Sequence, residues 1–390
     1  EAGHAYLEAT RMAGPAQVIE LRRRAAEQLL RSGRIEEGLA ELRRVLLATG
    51  LPEPPSPRRA MLAFLWRRLR IRARGLEFEE RPGHHVSPEL LLRVDTCWSA
   101  ATGLVQVNVI VGQSYQAQHL LLALEAGEPR RVARALAMET LYAATAGEAG
   151  AAHTEWLERQ VEALADRLDD PRTHGQARLA AGAAAIYRGR FHLAHPLLLE
   201  AEEILRTRCS DVAWELSMVR TYTAMSLYYT GQLRAMASSM ERSLKDAAAR
   251  DDLHTALMLR VSYGPIEYLA GDDLEGARAE LHECRAAWPD QLARSTFLYV
   301  AVLADSRIER YAGNGAAAWL PFERHFRDIE RSLMLERPPL RIFMLHDKGC
   351  AAALAAHGSH GKDRARFLAE AEKDAARLAA EPGPWGAAMA

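Results

Sequence analysis

The sequence predicts an all-α chain built as a solenoid of antiparallel helical hairpins. Three observations carry that prediction. Apolar residues recur at helical spacing along almost the whole length, and strand-like alternation is confined to one short segment. Glycines stand at similar points of successive apolar stretches, at Gly33, Gly127, Gly189, Gly231, Gly271, Gly313 and Gly358, and from Gly189 onward they lie 42, 40, 42 and 45 residues apart. Such a period without strands is the signature of stacked helix pairs. Seven residues before the glycines stand small residues, Ala26, Gly182, Ala224, Gly264, Ser306 and Ala351, with Leu120 as the exception before Gly127. Small side chains there, and again at Gly38, Ala194 and Ala318, are what two helices need where their axes come closest.

The elements follow in order. Residues 1–50 read as a first hairpin region with helices over 17–32 and 35–49, and Gly33 suits the positive φ of the turn between them. LPEPPSP at 51–57 is the strongest linker. It opens a region of irregular repeats over 51–170, with helices at 57–75, 88–111, 114–126, 129–146 and 153–169. Within it Val105, Val107, Val109 and Val111 alternate with Gln106, Asn108 and Ile110, and this stretch reads as the end of a helix plus a loop. Regular repeats fill 171–390, with helices at 172–188, 191–207, 211–230, 233–250, 252–270, 273–287, 291–312, 316–335, 339–357 and 362–380. Pro171, Pro289, Pro338 and Pro339 mark helix ends, because proline disfavours helix at the residue before it. One continuous superhelix is expected.

Composition excludes several classes. With 390 residues, 49% of them hydrophobic, the chain is long enough to fold and too apolar to be disordered. A net charge of −1 gives no global pull toward nucleic acid or an anionic membrane. No apolar run reaches the length of a membrane span, and no secretory signal opens the chain. Cys97, Cys209, Cys284 and Cys350 sit singly in apolar stretches and read as buried thiols of a cytoplasmic protein. The chain opens at Glu1 and reads as an interior piece of a longer polypeptide.

The stretches RSGRIEEGLAEL, YRGRFHLAHPLL and YTGQLRAMASSM resemble tetratricopeptide repeats, which place small residues on both sides of the turn. The spacing here is longer than that family's usual period of about 34 residues. The resemblance implies a right-handed superhelix whose concave groove is lined by the first helix of each hairpin. Three longer stretches, HHVSPELLLRVDTCWSAATGL, QAQHLLLALEAGEPRRVARALAMET and CSDVAWELSMVRTYTAMSLYYTGQL, are together similar to the C-terminal region of large bacterial serine/threonine kinases. Those proteins carry a kinase domain, a STAND-type ATPase module and a tetratricopeptide-like tail. The resemblance covers nearly the whole chain, brings no catalytic residues with it, and implies a sensor or autoregulatory scaffold.

No chemistry is legible in the chain itself. There is no GxxxxGK[ST] phosphate loop, and the nearest string, Gly358-Ser359-His360-Gly361-Lys362-Asp363, lacks both the spacing and the magnesium-binding hydroxyl. HRD and DFG motifs are missing. His192 with His195, His357 with His360, and His84 with His85 near Glu89 lack a third ligand and read as surface or turn histidines. No catalytic, cofactor or metal residue is therefore predicted.

Two patterns point to binding instead. Residues 58–74 hold seven arginines and no acid, with Met61, Leu62, Leu65, Trp66 and Leu69 at helical spacing. Arg67, Arg68, Arg70, Arg72 and Arg74 mark a candidate docking helix, read against the solvated face of an ordinary solenoid helix and against lipid or nucleic-acid contact. Shortly before the turn glycines stand Tyr187, Tyr228, Tyr229, Tyr268 and Tyr311, with Arg310 beside them. They would form a tyrosine stripe in the concave groove, or pack between hairpins. Trp98, Trp156, Trp214, Trp288 and Trp319 read as core.

The expectation is a non-catalytic regulatory scaffold without a cofactor. Its partner would be a protein or peptide segment, another domain of the same polypeptide, or a small effector, and not a specific nucleic acid. The alternatives are the effector-binding tail of an ATPase-type transcription activator and a structural oligomerisation module.

Overall fold

A computed structural model describes residues 1–105, 107–288, 296–332 and 334–390, apart from the side chains at 15, 16, 57 and 384. Among these residues the chain is all-helical, without a strand. The helices are α1 (Ala2–Ala9), α2 (Pro15–Arg31), α3 (Ile35–Ala48), α4 (Pro57–Arg74), α5 (Pro88–Leu104), α6 (Val109–Ala126), α7 (Pro129–Ala144), α8 (Ala151–Leu168), α9 (Pro171–Tyr187) and α10 (Phe191–Arg208). They continue as α11 (Ala213–Tyr229), α12 (Leu233–Ala249), α13 (Leu253–Ala270), α14 (Leu274–Ala286), α15 (Thr296–Tyr311), α16 (Gly315–Arg331), α17 (Pro338–His357), α18 (Gly361–Ala379) and α19 (Pro384–Met389). None is long and apolar enough to cross a membrane.

Local chemistry sets the helix ends. Proline stands in the first turn of α4, α5, α7 and α9, where its missing N–H costs nothing. Ser56, Ser87, Glu128 and Asp170 cap those helices by accepting from backbone N–H groups. At the far ends one turn recurs. The backbone N–H of Arg34, Arg190, Gln232, Asp273 and Asn314 donates to the carbonyl five residues earlier, on Leu29, Ala185, Leu227, Tyr268 and Glu309, at 2.8–2.9 Å. The residue before each donor has positive φ, at Gly33, Gly189, Gly231, Asp272 and Gly313. This closure satisfies carbonyls the helix leaves open and turns the chain within three residues into the next helix.

Consecutive helices pack as neighbours, and from α7 onward they sort into two layers. Odd-numbered helices α7 to α17 form an inner layer in which each also touches the next odd one. Burial reflects this. The outer α10 buries a single stripe, Ala194, Leu198, Ala201 and Leu205, whereas the inner α9 is buried at ten positions around its axis. Small residues sit where helices nearly meet: a β-carbon at Gly182 would lie 2.8 Å from Leu198 Cγ, and one at Gly264 would lie 3.1 Å from Glu280 Oε1. The N-terminal hairpin does not simply begin the stack. Gly33 packs on Leu253 at the start of α13, and Arg23 of α2 donates to Ser99 of α5 at 2.8 Å.

The structure departs from the sequence-based expectation at five places. Helices α1 and α19 are too short to carry a periodic signal. The helix expected over 88–111 breaks after Leu104, because Asn108 caps a new helix by accepting from Val111 N–H at 3.2 Å. At Gly271 the positive φ falls one residue later, on Asp272, and at Gly358 it falls on Gly361. Pro289, Gln106 and the opening of the helix expected at 291–312 lie outside the described residues.

The close approach of α2 and α3 gives a test. A β-carbon at Gly38 would stand 2.7 Å from Leu30 Cγ and 2.9 Å from the Leu30 main-chain nitrogen, so backbone as well as side chain must yield. Gly38→Ala is expected to cost about 1–3 kcal/mol through overpacking, read from urea denaturation. An unchanged midpoint would refute the close α2–α3 approach.

Candidate functional site

The inner helices surround a chamber of about 290 Å³. Each contributes one face at helical spacing. From α11 come Trp214, Met218, Thr221, Met225 and Tyr228, and from α15 come Thr296, Val300, Leu303 and Arg307. The circuit closes between distant parts of the chain. Gln113 of α6, with its amide turned to accept, meets Arg337 Nε at 3.2 Å just before α17. Val109 joins the apolar cluster of Met334, Leu335 and Phe343.

The wall is aromatic and soft. Tyr229 stacks between Phe191 and Phe343 at 4.8 and 4.6 Å between ring centres. The hydroxyls of Tyr187 and Tyr222 share a hydrogen bond of 2.9 Å, and Tyr299 donates to the Leu340 carbonyl at 2.8 Å. Burial pushes the phenols of Tyr222, Tyr229 and Tyr299 well above their ordinary range, so they stay protonated donors. Among the described residues, the charged groups at the wall are guanidiniums and no carboxylate lines it. Arg307, over the Tyr228 ring at 5.4 Å, binds Asp347 through Nε and Nη2, and Arg310 pairs with the same carboxylate from behind. Burial opposes the charge on Asp347, but these guanidiniums hold its carboxyl below the usual range.

Of the tyrosines expected in a groove, Tyr187, Tyr228 and Tyr229 face this chamber. Tyr268 and Tyr311 do not, being 39% and 49% exposed. Tyr268 lies four residues before its turn's positive-φ pivot, where Tyr187 and Tyr229 lie two before theirs and Tyr228 three, so the shift to Asp272 rotates it off the inner face. Tyr311 keeps the two-residue offset but sends its hydroxyl sideways to Asp272 at 2.5 Å. Sequence reasoning missed Tyr222, Tyr263, Tyr299, Arg307 and Arg337. Tyr222 follows Leu216 and Val219 at helical spacing along α11, a pattern that reads as core rather than as chamber wall.

A second, larger cleft of about 1110 Å³ lies between α2 and the starts of α5, α7 and α9. It is polar and largely self-neutralised. Asp95 takes Arg131 and Arg134 at 2.6 and 2.7 Å, and Arg23 holds Glu20 and Glu27 at 2.7 Å. Beneath it burial and Arg134 push His119 well below its ordinary value, leaving a neutral imidazole. Trp98 lines the cleft and Trp214 the chamber, and their rings meet edge to face at 5.1 Å as the wall between. Trp156, in contrast to the core placement expected, is 38% exposed.

The arginine-rich helix is turned the other way from its sequence reading. In α4 the arginines at its centre point inward. Arg68 makes a two-pronged ion pair with the buried Glu139 of α7 at 2.7 and 2.8 Å, and Gln116 supports the same carboxylate at 2.9 Å. Arg67 bonds Gln118 and the Ser114 carbonyl of α6, and Arg74 bonds the carbonyls of Glu77 and Leu124. Leu62, Leu65, Trp66 and Leu69 face outward, 53–65% exposed. Arg58, Arg59, Arg70 and Arg72 flank that ridge and make no ion pair among the described residues. Three of the five candidate docking arginines are thus engaged within the fold.

Among the described residues no three His, Cys, Asp or Glu side chains gather as a metal site. In comparison with known proteins, the chain matches no family model, and no curated protein is significantly similar to it.

The inverted helix makes an unusual prediction. Arg68→Met strands the buried Glu139 carboxylate and is expected to cost about 3–5 kcal/mol, with Glu139→Gln on the same chain restoring most of it. The triple change Leu62→Ser, Leu65→Ser and Leu69→Ser is expected to leave thermal stability nearly unchanged, since those side chains are already in water. Melts in which the leucines mattered more than Arg68 would reverse the orientation assigned to α4.

Proposed function

We propose that this chain is a non-catalytic regulatory binding module: a tetratricopeptide-like, right-handed superhelix whose inner helices take a small, largely apolar effector into the central chamber. In this reading it is the cytoplasmic sensor or autoregulatory tail of a bacterial signalling kinase-ATPase. The same chamber would serve the effector-binding tail of an ATPase-type transcription activator. The observation that carries the reading is the chamber's wall, drawn from helices between α5 and α17 and closed by Gln113 and Arg337. An occupant there touches elements far apart in sequence, and so binds more tightly to one arrangement of the helices than to another. A binding role is favoured over catalysis because the hydroxyls of Tyr187 and Tyr222 are bonded to each other and Arg307 to Asp347, and among the described residues no carboxylate lines the wall as a base.

A second reading, docking to an acidic protein surface such as a neighbouring domain of the same polypeptide, is favoured by α4. Its outward apolar ridge with four flanking arginines suits an acidic partner and disfavours self-association, in which those charges would face each other. It requires amide exchange across α4 to be slower in the parent polypeptide than in the isolated chain.

The chamber reading is tested with the uncharged fluorophore N-phenyl-1-naphthylamine, titrated into the Leu62→Ser, Leu65→Ser, Leu69→Ser background to silence the exposed ridge. Saturable binding at about one site per chain is expected. Thr221→Trp, which fills the chamber from α11, should weaken it at least about tenfold while the helical circular dichroism persists. Binding that ignores Thr221→Trp would sink the reading.

A further inference from the structure

Resting on that reading, we infer that the chamber's ligand is an amphipathic monoanion, an apolar chain or ring system whose acidic group is held by Arg337. The two guanidiniums of the wall are not equivalent. Arg307 is balanced by Asp347, which it shares with Arg310. Arg337 pairs with no acid among the described residues, and its neighbour Gln113 offers it a neutral oxygen. A partly buried cation beside an apolar wall loses hydration without a compensating charge, and an entering carboxylate or sulfonate restores the balance by replacing the neutral Gln113 oxygen on Nε and Nη2. The more buried ion pairs of the neighbouring cleft show what this chain does with arginines when it supplies the acid itself. Arg131 and Arg134 share Asp95, and Arg23 has two glutamates.

The surroundings of Arg337 suit an acidic head group. Tyr142 and Tyr222 lie within its field: burial raises both phenols, and Arg337 acts against that rise. Tyr222 is already joined to Tyr187, so the hydroxyl pair has one proton beyond the bond between them to donate to an oxyanion. The remaining wall suits the apolar body. Met218, Met225 and Met258 are flexible and polarizable, and adapt to a chain or a flat ring without a fixed shape. A volume near 290 Å³ is at the small end for ligand cavities, which limits the body to a short acyl chain or about three fused or linked rings. A polyanion is disfavoured because only one guanidinium lacks its acid.

The test uses two dyes of one frame: 8-anilinonaphthalene-1-sulfonate, which is an anion, and N-phenyl-1-naphthylamine, which lacks the charge. Both are titrated into the Leu62→Ser, Leu65→Ser, Leu69→Ser background, because the arginines flanking α4 would otherwise draw the anionic dye to the exposed ridge. The anion is expected to bind at least about tenfold more tightly than its uncharged frame. Arg337→Gln should abolish that preference, and Arg337→Lys should recover part of it. Decanoate or 2-naphthoate should displace the anionic dye, and whichever does so better identifies the body as chain or ring. Equal affinity for the two dyes, a preference that survives Arg337→Gln, or failure of both acids to compete would overturn the inference while leaving an apolar chamber in place. Binding of neither dye would overturn the chamber reading and this inference together.

Discussion

The hairpin turn is the constraint on which the rest of the structure depends. In five hairpins a single N–H reaches back to a carbonyl five residues earlier, across a residue of positive φ. That bond fixes the rotation of one helix relative to the next, because the chain has only three residues in which to reverse. Once rotation is fixed, the position seven residues before the glycine faces the partner helix, and only small residues fit there, as Leu198 against Gly182 makes plain. The opposite face of each first helix is then left for the interior of the array. The chamber is a consequence of repeating this turn, and a one-residue displacement of the pivot at Asp272 is enough to turn Tyr268 out of it.

Features governed by short-range rules were legible in the amino-acid sequence. Gly33, Gly189, Gly231 and Gly313 announce their turns, and Ala26, Gly182 and Ala224 announce the close approaches, because each requirement acts within a few residues. What long-range packing decides was not legible. The arginines of α4 look like a solvated face until Glu139 of α7 is placed beneath Arg68, and nothing near residue 68 in sequence reports that carboxylate. Leucines at helical spacing imply a buried stripe, and here the stripe faces water because the opposite side of the same helix is held by ion pairs and hydrogen bonds. The chamber was half legible. Tyr187, Tyr228 and Tyr229 were found by their distance from the turn, whereas Arg337 and Gln113 meet only because the array curves until α6 reaches α17.

Charge is distributed with a similar division. The cleft beside α2 carries many ionic side chains, and they largely cancel at distances of 2.6–2.8 Å. Such a lattice joins the N-terminal hairpin to α5 and α7 and contributes orientation more than net stability, since each buried pair must first offset its own desolvation. The chamber carries few charges and is dominated by rings and thioethers. Trp98 and Trp214 separate the two environments with an edge-to-face contact, so that water reaching the cleft meets an indole before it meets the tyrosines.

This separation bears on how an occupied chamber would be felt elsewhere. Trp214 opens α11 at the chamber wall, and Trp98 stands beneath the arginines of the cleft, with the Arg134 guanidinium over its ring at 4.9 Å. A ligand that presses on α11 presses through two touching indoles on Arg134, and Arg134 shares Asp95 with Arg131. Packed aromatic contacts transmit displacement because they have little free volume to absorb it. The same ligand bears on Met258 of α13, the helix on whose first residue, Leu253, Gly33 of the N-terminal hairpin rests. Trp98 of α5 and Leu253 of α13 thus lie between the chamber and the hairpin of α2 and α3. If the proposed reading holds, the contacts of that hairpin that would report a change in the chamber are Arg23 with Ser99 and Gly33 with Leu253.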